Sequence, residues 1–298
     1  DFFQAGYYSL GRLRHYGLQS YISHPFSRFQ RIDFGLTWHN ISYDILDRVI
    51  NTFTGQEELL KRPGSIKFAT VLPTMSWVID NSVFGITGPV DGYRQNASVT
   101  ASPGWKNNFS FQTMKFDARK YWRVGRDYTF ALRGFFGRSQ GNKAQKFFLG
   151  GTPYLLTDFQ SGETNGVKDP SIYRSVLTDT ANSNIITDVY FTEYAFPMRG
   201  TRFAERIGTN AALFNFEIRF PFINYLALGF PLKLVLGNIR GHAFMDVGAA
   251  WDNYSEFSSN MWPDKYGPNN SGNFSPWVVT SGLGVKINLG YFLLRIES

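Results

Sequence analysis

The stretch FPMRGTRFAERIGTNAALFNFEIRFPF, Phe196 to Phe222, decides the fold. In its second half Phe214, Phe216, Ile218 and Phe220 alternate with Asn215, Glu217 and Arg219. Period-two alternation is the signature of a β-strand with two unlike faces. One face here is large and apolar, the other polar and charged. The strand follows a polar loop that carries one Arg-Gly pair, Arg199-Gly200. The reading therefore has to explain both the greasy strand and the arginine before it.

The same pattern recurs along the chain, and helical periodicity is nearly absent. Ile32, Phe34, Leu36 and Trp38 oppose Arg31, Asp33, Thr37 and His39. Tyr128, Phe130, Leu132 and Phe136 alternate with Thr129, Ala131 and Arg133. Further strands are expected at Phe2 to Ser9, Leu13 to Ser23, Ile66 to Asp80, Gly92 to Ser102, His242 to Trp251, Val278 to Asn288 and Tyr291 to Ser298. The segment Phe109 to Tyr121 changes phase midway, which indicates either a bulge or a misplaced strand boundary. Residues Asp44 to Asn51 (DILDRVIN) read as a short helix within a loop.

Composition narrows the class. The 298 residues hold no cysteine, 29 Phe and 16 Tyr, with a mean hydropathy of only −0.23. Apolar and polar residues must be interleaved rather than blocked. The missing cysteines exclude a disulfide scaffold and thiolate metal sites. No apolar run is long enough for a transmembrane helix; the most apolar stretch, Leu226 to Ile239, is broken by Pro231 and Lys233. The chain opens DFFQAGYYSL, without a basic leader, so Asp1 is not expected to be the biological start. The net charge of +7 is spread over 30 scattered basic residues, which argues against a nucleic-acid partner.

Long and short connections alternate. Residues 24–28, 122–127 and 289–290 are short turns, whereas 44–65, 139–210 and 252–276 are long and polar. That layout is the one of an outer-membrane β-barrel with long extracellular loops. The connection Ile223 to Arg240 departs from it, being long where a turn is expected. A soluble β-sandwich also alternates, but its buried face is richer in branched aliphatics. Trp38, Trp77, Tyr121, Tyr128, Trp251 and Trp277 near strand ends fit interfacial girdles. The fold class expected is all-β, a transmembrane antiparallel β-barrel, over 1–298.

Three stretches stand out in order: FFLGG (Phe147 to Gly151, with Gly150 and Gly151), MRG (Met198 to Gly200) and AFMDVGAAW (Ala243 to Trp251, with Phe244, Asp246 and Gly248). With NFEIRFPF between the last two, VTSGLGVKINLGYFLLRIE near the end and SHPFSRFQRIDFGL near the start, the sequence resembles the BamA/TamA family of outer-membrane barrels, the bacterial surface antigens. The resemblance implies a barrel of about sixteen strands. About eleven are recognisable here, so the first few and the last would lie outside this sequence. It also implies that the loop folds into the lumen and that Arg199 pairs with Glu217 and Asp246 on the wall. Strand parity places both carboxylates on the polar face, where an arginine fork can reach them. Gly200 would give the tight backbone that presents the arginine. The alternative is that Glu217 and Asp246 balance Arg219, Arg133 and Arg295. Two features depart from the family pattern: Thr201 stands where an aromatic is usual, and about fifty residues separate FFLGG from MRG.

No catalytic arrangement is expected. His15, His24, His39 and His242 fall on different elements, Ser281 lies on an apolar face, and no cofactor or metal site is predicted. The resemblance implies an insertase or translocase. Its expected partners are outer-membrane lipid, unfolded outer-membrane or secreted clients, and periplasmic or lipoprotein accessory subunits. An anchor for a periplasmic domain and a passive pore are the alternatives.

Overall fold

The structure, a computed structural model, describes residues 3–51, 55–61, 66–104, 110–151, 193–195, 197–201, 206–229, 234–257, 276–289 and 293–297. Fifteen strands occur among them. These are β1 (Phe3–Ser27), β2 (Gln30–Asn51), β3 (Glu57–Lys61), β4 (Ile66–Asp80), β5 (Val83–Gly85), β6 (Gly88–Pro103), β7 (Ser110–Val124) and β8 (Tyr128–Asn142). The rest are β9 (Phe147–Leu149), β10 (Glu193–Ala195), β11 (Arg206–Gly208), β12 (Asn210–Leu228), β13 (Leu234–Trp251), β14 (Trp277–Asn288) and β15 (Leu293–Glu297). Ten form one antiparallel path, β1-β2-β4-β6-β7-β8-β12-β13-β14-β15, with β3 appended to β2 and β5 to β6. The small sheet β10-β9-β11 is separate.

The two faces of the main sheet are inverted relative to a soluble protein. Phe34, Trp77, Phe116, Phe136, Phe214, Met245 and Leu283 are all more than a third exposed. Asp33, Thr113, Asn215, Glu217, His242, Asp246 and Lys286 are buried on the opposite face. Water would not tolerate so many exposed aromatics on one continuous surface. Lipid outside and a polar interior account for both faces at once.

Five sequence expectations are corrected. Phe2 to Ser9 and Leu13 to Ser23 merge into β1, whose only interruptions are register shifts at Ala5/Ser9 and Pro25/Ser27. DILDRVIN is the end of β2, not a helix: it pairs with β1 on one side and β3 on the other. Its apolar residues suit either periodicity, and the two neighbouring ladders decide. The expected bulge in β7 is absent, since its registers with β6 and β8 run unbroken. Phe111 points to the interior, where Thr113 on the same face hydrogen bonds Gln145 of the incoming loop at 2.5 Å. The 44–65 connection is correspondingly shorter than its residue count, because β2 and β3 occupy much of it.

The fourth correction restores the alternation of loops and turns. The connection after Ile223 is a continuation of the strands, because β12 and β13 pair through Leu228↔Leu234. Pairing of β12 with β8 ends at Arg219, and pairing of β13 with β14 ends at Arg240. The β12–β13 ribbon thus runs on past its neighbours on the short-turn rim. Fifth, Tyr121 and Trp251 are buried rather than part of a girdle, whereas Trp38, Trp77 and Tyr128 face outward as expected. Trp251 is covered by Phe257, with ring centroids 5.0 Å apart.

Candidate functional site: a loop arginine held by the wall

Residues after β8 turn inward and build a small sheet against the wall. β9 pairs with β10 in parallel and with β11 antiparallel. Phe147, Leu149, Ala195 and Met198 pack with Phe135, Leu213 and Ala250 of the wall. Glycines make this contact possible. A Cβ on Gly137 would lie 2.4 Å from the Phe147 ring, and one on Gly248 would lie 2.9 Å from Leu149 and 3.0 Å from Met198 Sδ. The Gly-Gly and Met-Arg-Gly motifs meet here, with the Met198 amide donating to Gly150 O at 2.9 Å. A Cβ on Gly151 would collide with Thr201 O at 2.4 Å.

This packing delivers Arg199 to the two carboxylates. Its Nε donates to Asp246 Oδ2 at 2.9 Å and its Nη2 to Asp246 Oδ1 at 2.6 Å, a fork-to-fork pair. Nη1 donates to Glu217 Oε2 at 2.5 Å, and the Arg199 backbone amide adds a bond to Asp246 Oδ2 at 2.9 Å. The guanidinium also lies 4.0 Å from the Phe244 ring centroid, a cation–π contact in a desolvated setting. Gly200 adopts φ 72°, the left-handed backbone that reverses the chain directly after the arginine. Thr201, in the place of the family's aromatic, caps the same turn by donating to Met198 O at 2.8 Å.

The socket is wider than the sequence motifs indicate. Lys286 Nζ and Arg219 Nε donate to Glu217 Oε1 at 2.5 and 2.6 Å. His242 Nε2 is 2.7 Å from Glu297 Oε1, and that carboxylate also takes Arg295 and lies 3.9 Å from Arg199. Asn215 Nδ2 donates to Pro197 O at 3.0 Å, and Lys115 holds Glu193 of β10 at 2.8 Å. The alternative pairings divide cleanly: Arg133 binds Asp117 instead, Arg219 does share Glu217, and Asp246 belongs to Arg199. Sequence parity put Lys286, His242, Asn215 and Glu297 on the polar face but did not assign them to this socket. Parity fixes the face, not the depth at which these side chains meet the arginine.

The interior is crossed from the opposite rim as well. The β5–β6 hairpin reaches β12 and β14, with Arg219 Nη1 donating to Pro89 O at 2.5 Å and Asn288 Nδ2 to Ile86 O at 3.3 Å.

The sequence matches the Omp85 superfamily domain over residues 6–297. The chain belongs to the Omp85 superfamily. Among solved structures it is similar to BamA from Haemophilus ducreyi lacking POTRA domains 1–3, at 12% identity and a TM-score of 0.55. That alignment covers 96% of this chain and 50% of the BamA chain, so the present sequence spans about half the length of that relative. No curated protein sequence matches it significantly. The Omp85 chain is a bacterial outer-membrane β-barrel with a fold like that of BamA.

Proposed function

We propose that this chain is the barrel part of a protein that assists insertion of outer-membrane proteins or moves polypeptide or lipid across the outer membrane. In this reading Arg199 is a pin that fixes the inward loop, and Glu217 and Asp246 are its socket. Gly150, Gly151, Met198 and Gly200 shape the loop, while Phe244 and Gly248 shape the wall. The observation that carries the reading is the buried fork of Arg199 across two wall strands, β12 and β13. A simple pore gains nothing from an arginine sequestered at that cost, and its lumen would not be crossed from both rims. The role is non-enzymatic. Its partners are unfolded clients, outer-membrane lipid and periplasmic or lipoprotein subunits. With no nucleotide to drive the process, the work must come from strand-edge templating and local disturbance of the bilayer.

The test uses the full-length protein in liposomes. A urea-unfolded small outer-membrane barrel should become heat-resistant and protease-protected faster than in empty liposomes, and Arg199→Ala should abolish most of the gain. A folded, correctly oriented protein that gives no acceleration would shift the assignment to a membrane anchor.

A further inference from the structure

The outward face of the sheet is apolar in row after row, and it is interrupted between β6 and β12. Registers place Gln95, Ala118, Gly134 and Phe214 side by side on four neighbouring strands. The row above is Ala97, Phe116, Phe136 and Ala212, and the row below is Tyr93, Lys120, Leu132 and Phe216. Ala118 and Gly134 leave a depression under the two flanking phenylalanines; even an added Cβ at Gly134 would meet no atom within 4 Å. The resulting groove has a volume of about 510 Å³, and Tyr93, Lys120, Leu132 and Phe214 help line it.

Lys120 is the anomaly. A lysine on a lipid-facing strand has to bring its ammonium to the interface or pair it. The described residues give it no carboxylate. Its Nζ lies instead 5.5 Å from the Tyr93 ring centroid and 5.8 Å from that of Trp122. Lys120 stands five residues from the turn at 125–127. At about 3.3 Å of rise and a tilt near 40°, this is roughly 10–13 Å above that rim. The long stem therefore carries the ammonium toward the headgroup level of the leaflet on the short-turn side.

We propose that this groove holds one phospholipid of that leaflet, its phosphate on Lys120 and an acyl chain over Ala118 and Gly134. Charge selects the occupant. The ammonium, framed by two aromatic rings and lacking an acid, matches a phosphate, and the apolar floor matches a hydrocarbon chain. The proposal rests on the outer-membrane location and does not depend on whether the barrel is an insertase.

Native mass spectrometry of the purified, delipidated protein in detergent tests it. The probes are phosphatidylglycerol and diacylglycerol, which share acyl chains and differ in the phosphate. The wild-type protein should retain one phosphatidylglycerol in preference to diacylglycerol. Lys120→Gln should cut that retention about tenfold, the loss of one charge-assisted contact, and Lys120→Arg should restore it. Gly134→Leu should cut retention of both lipids, and Ala118→Leu gives the same readout by an independent substitution. Heat-modifiable mobility on gels verifies that each variant is folded. Equal retention of the two lipids by the wild type overturns the proposal, as does undiminished retention in folded Lys120→Gln or in the folded groove-filling variants.

Discussion

Arg199 makes four hydrogen bonds to two carboxylates from a fully enclosed position. Burying such a charge is costly, and the fork geometry is what offsets the cost. Truncation is therefore worse than substitution by a weaker partner. Arg199→Ala leaves Asp246 without a cation and should lower barrel stability by about 3–5 kcal/mol, read as the urea midpoint of heat-modifiable mobility. Arg199→Lys keeps the charge but not the fork, and its midpoint should fall between those of Ala and wild type. Identical midpoints for Lys and wild type would show that point charge alone suffices. Gly137 is a second sensitive position, because the Phe147 ring occupies the space of a side chain there. Gly137→Ala should cost about 1–3 kcal/mol through overpacking. The same assay should show the shift without loss of the Arg199 contacts.

At the scale of elements, the long β1–β2 hairpin outruns the lipid band, whose last outward aromatic on β2 is Trp38. Six residues further, Asp44 is enclosed by Lys61 at 2.7 Å, Arg14 at 2.8 Å and Arg12 at 3.3 Å. The hydrogen bond from Lys61, aided by Arg12 and Arg14 against the effect of burial, lowers its pKa from 3.8 to about 2. A depressed folded-state pKa means stabilisation that is complete above about pH 4 and lost as pH falls through about 2. Amide exchange at the β2–β3 ladder should accordingly rise as pH drops from 4 toward 2, relative to the intrinsic rate. Asp44→Asn should remove that extra pH dependence. The β5–β6 hairpin carries a different prediction. Replacing residues 83–89 by a two-residue turn deletes the carbonyls of Pro89 and Ile86 that accept from Arg219 and Asn288. Single-channel conductance should then increase; an unchanged current would mean that the inward loop alone closes the lumen.

For the whole molecule, the inversion of its faces is the controlling fact. Exposed Phe, Trp and Leu form the outer surface, while Glu217, Asp246, His242 and Lys286 lie inside. A polar interior keeps these charges away from hydrocarbon. Loop and hairpin meet the same wall strand, β12, through Asn215, Glu217 and Arg219. The two rims are thus coupled through Glu217, which receives Arg199 from one side and Arg219 from the other. Coupling of this kind predicts non-additivity. Combining Arg199→Ala with Arg219→Ala should destabilise by less or more than the sum of the single changes, by about 0.5–3 kcal/mol in a double-mutant cycle. Additivity within error would mean that the two crossings act separately.

The sequence by itself determined the strand periodicity, the outward and inward faces, and the parity that aims Glu217 and Asp246 at Arg199. These are local properties: side chains alternate on a strand whatever its neighbours are. It did not determine how far strands extend. DILDRVIN and the residues after Ile223 became strands because ladders on β1, β3 and the opposing half of the ribbon recruited them. Nor did it separate the buried Tyr121 and Trp251 from the exposed aromatics it grouped them with. The recruitment of Lys286, His242 and Glu297 to the socket likewise depended on the stagger of β12, β13, β14 and β15. Stagger is set by pairing between segments far apart in the chain, so only the tertiary structure decided which charges share the arginine's pocket.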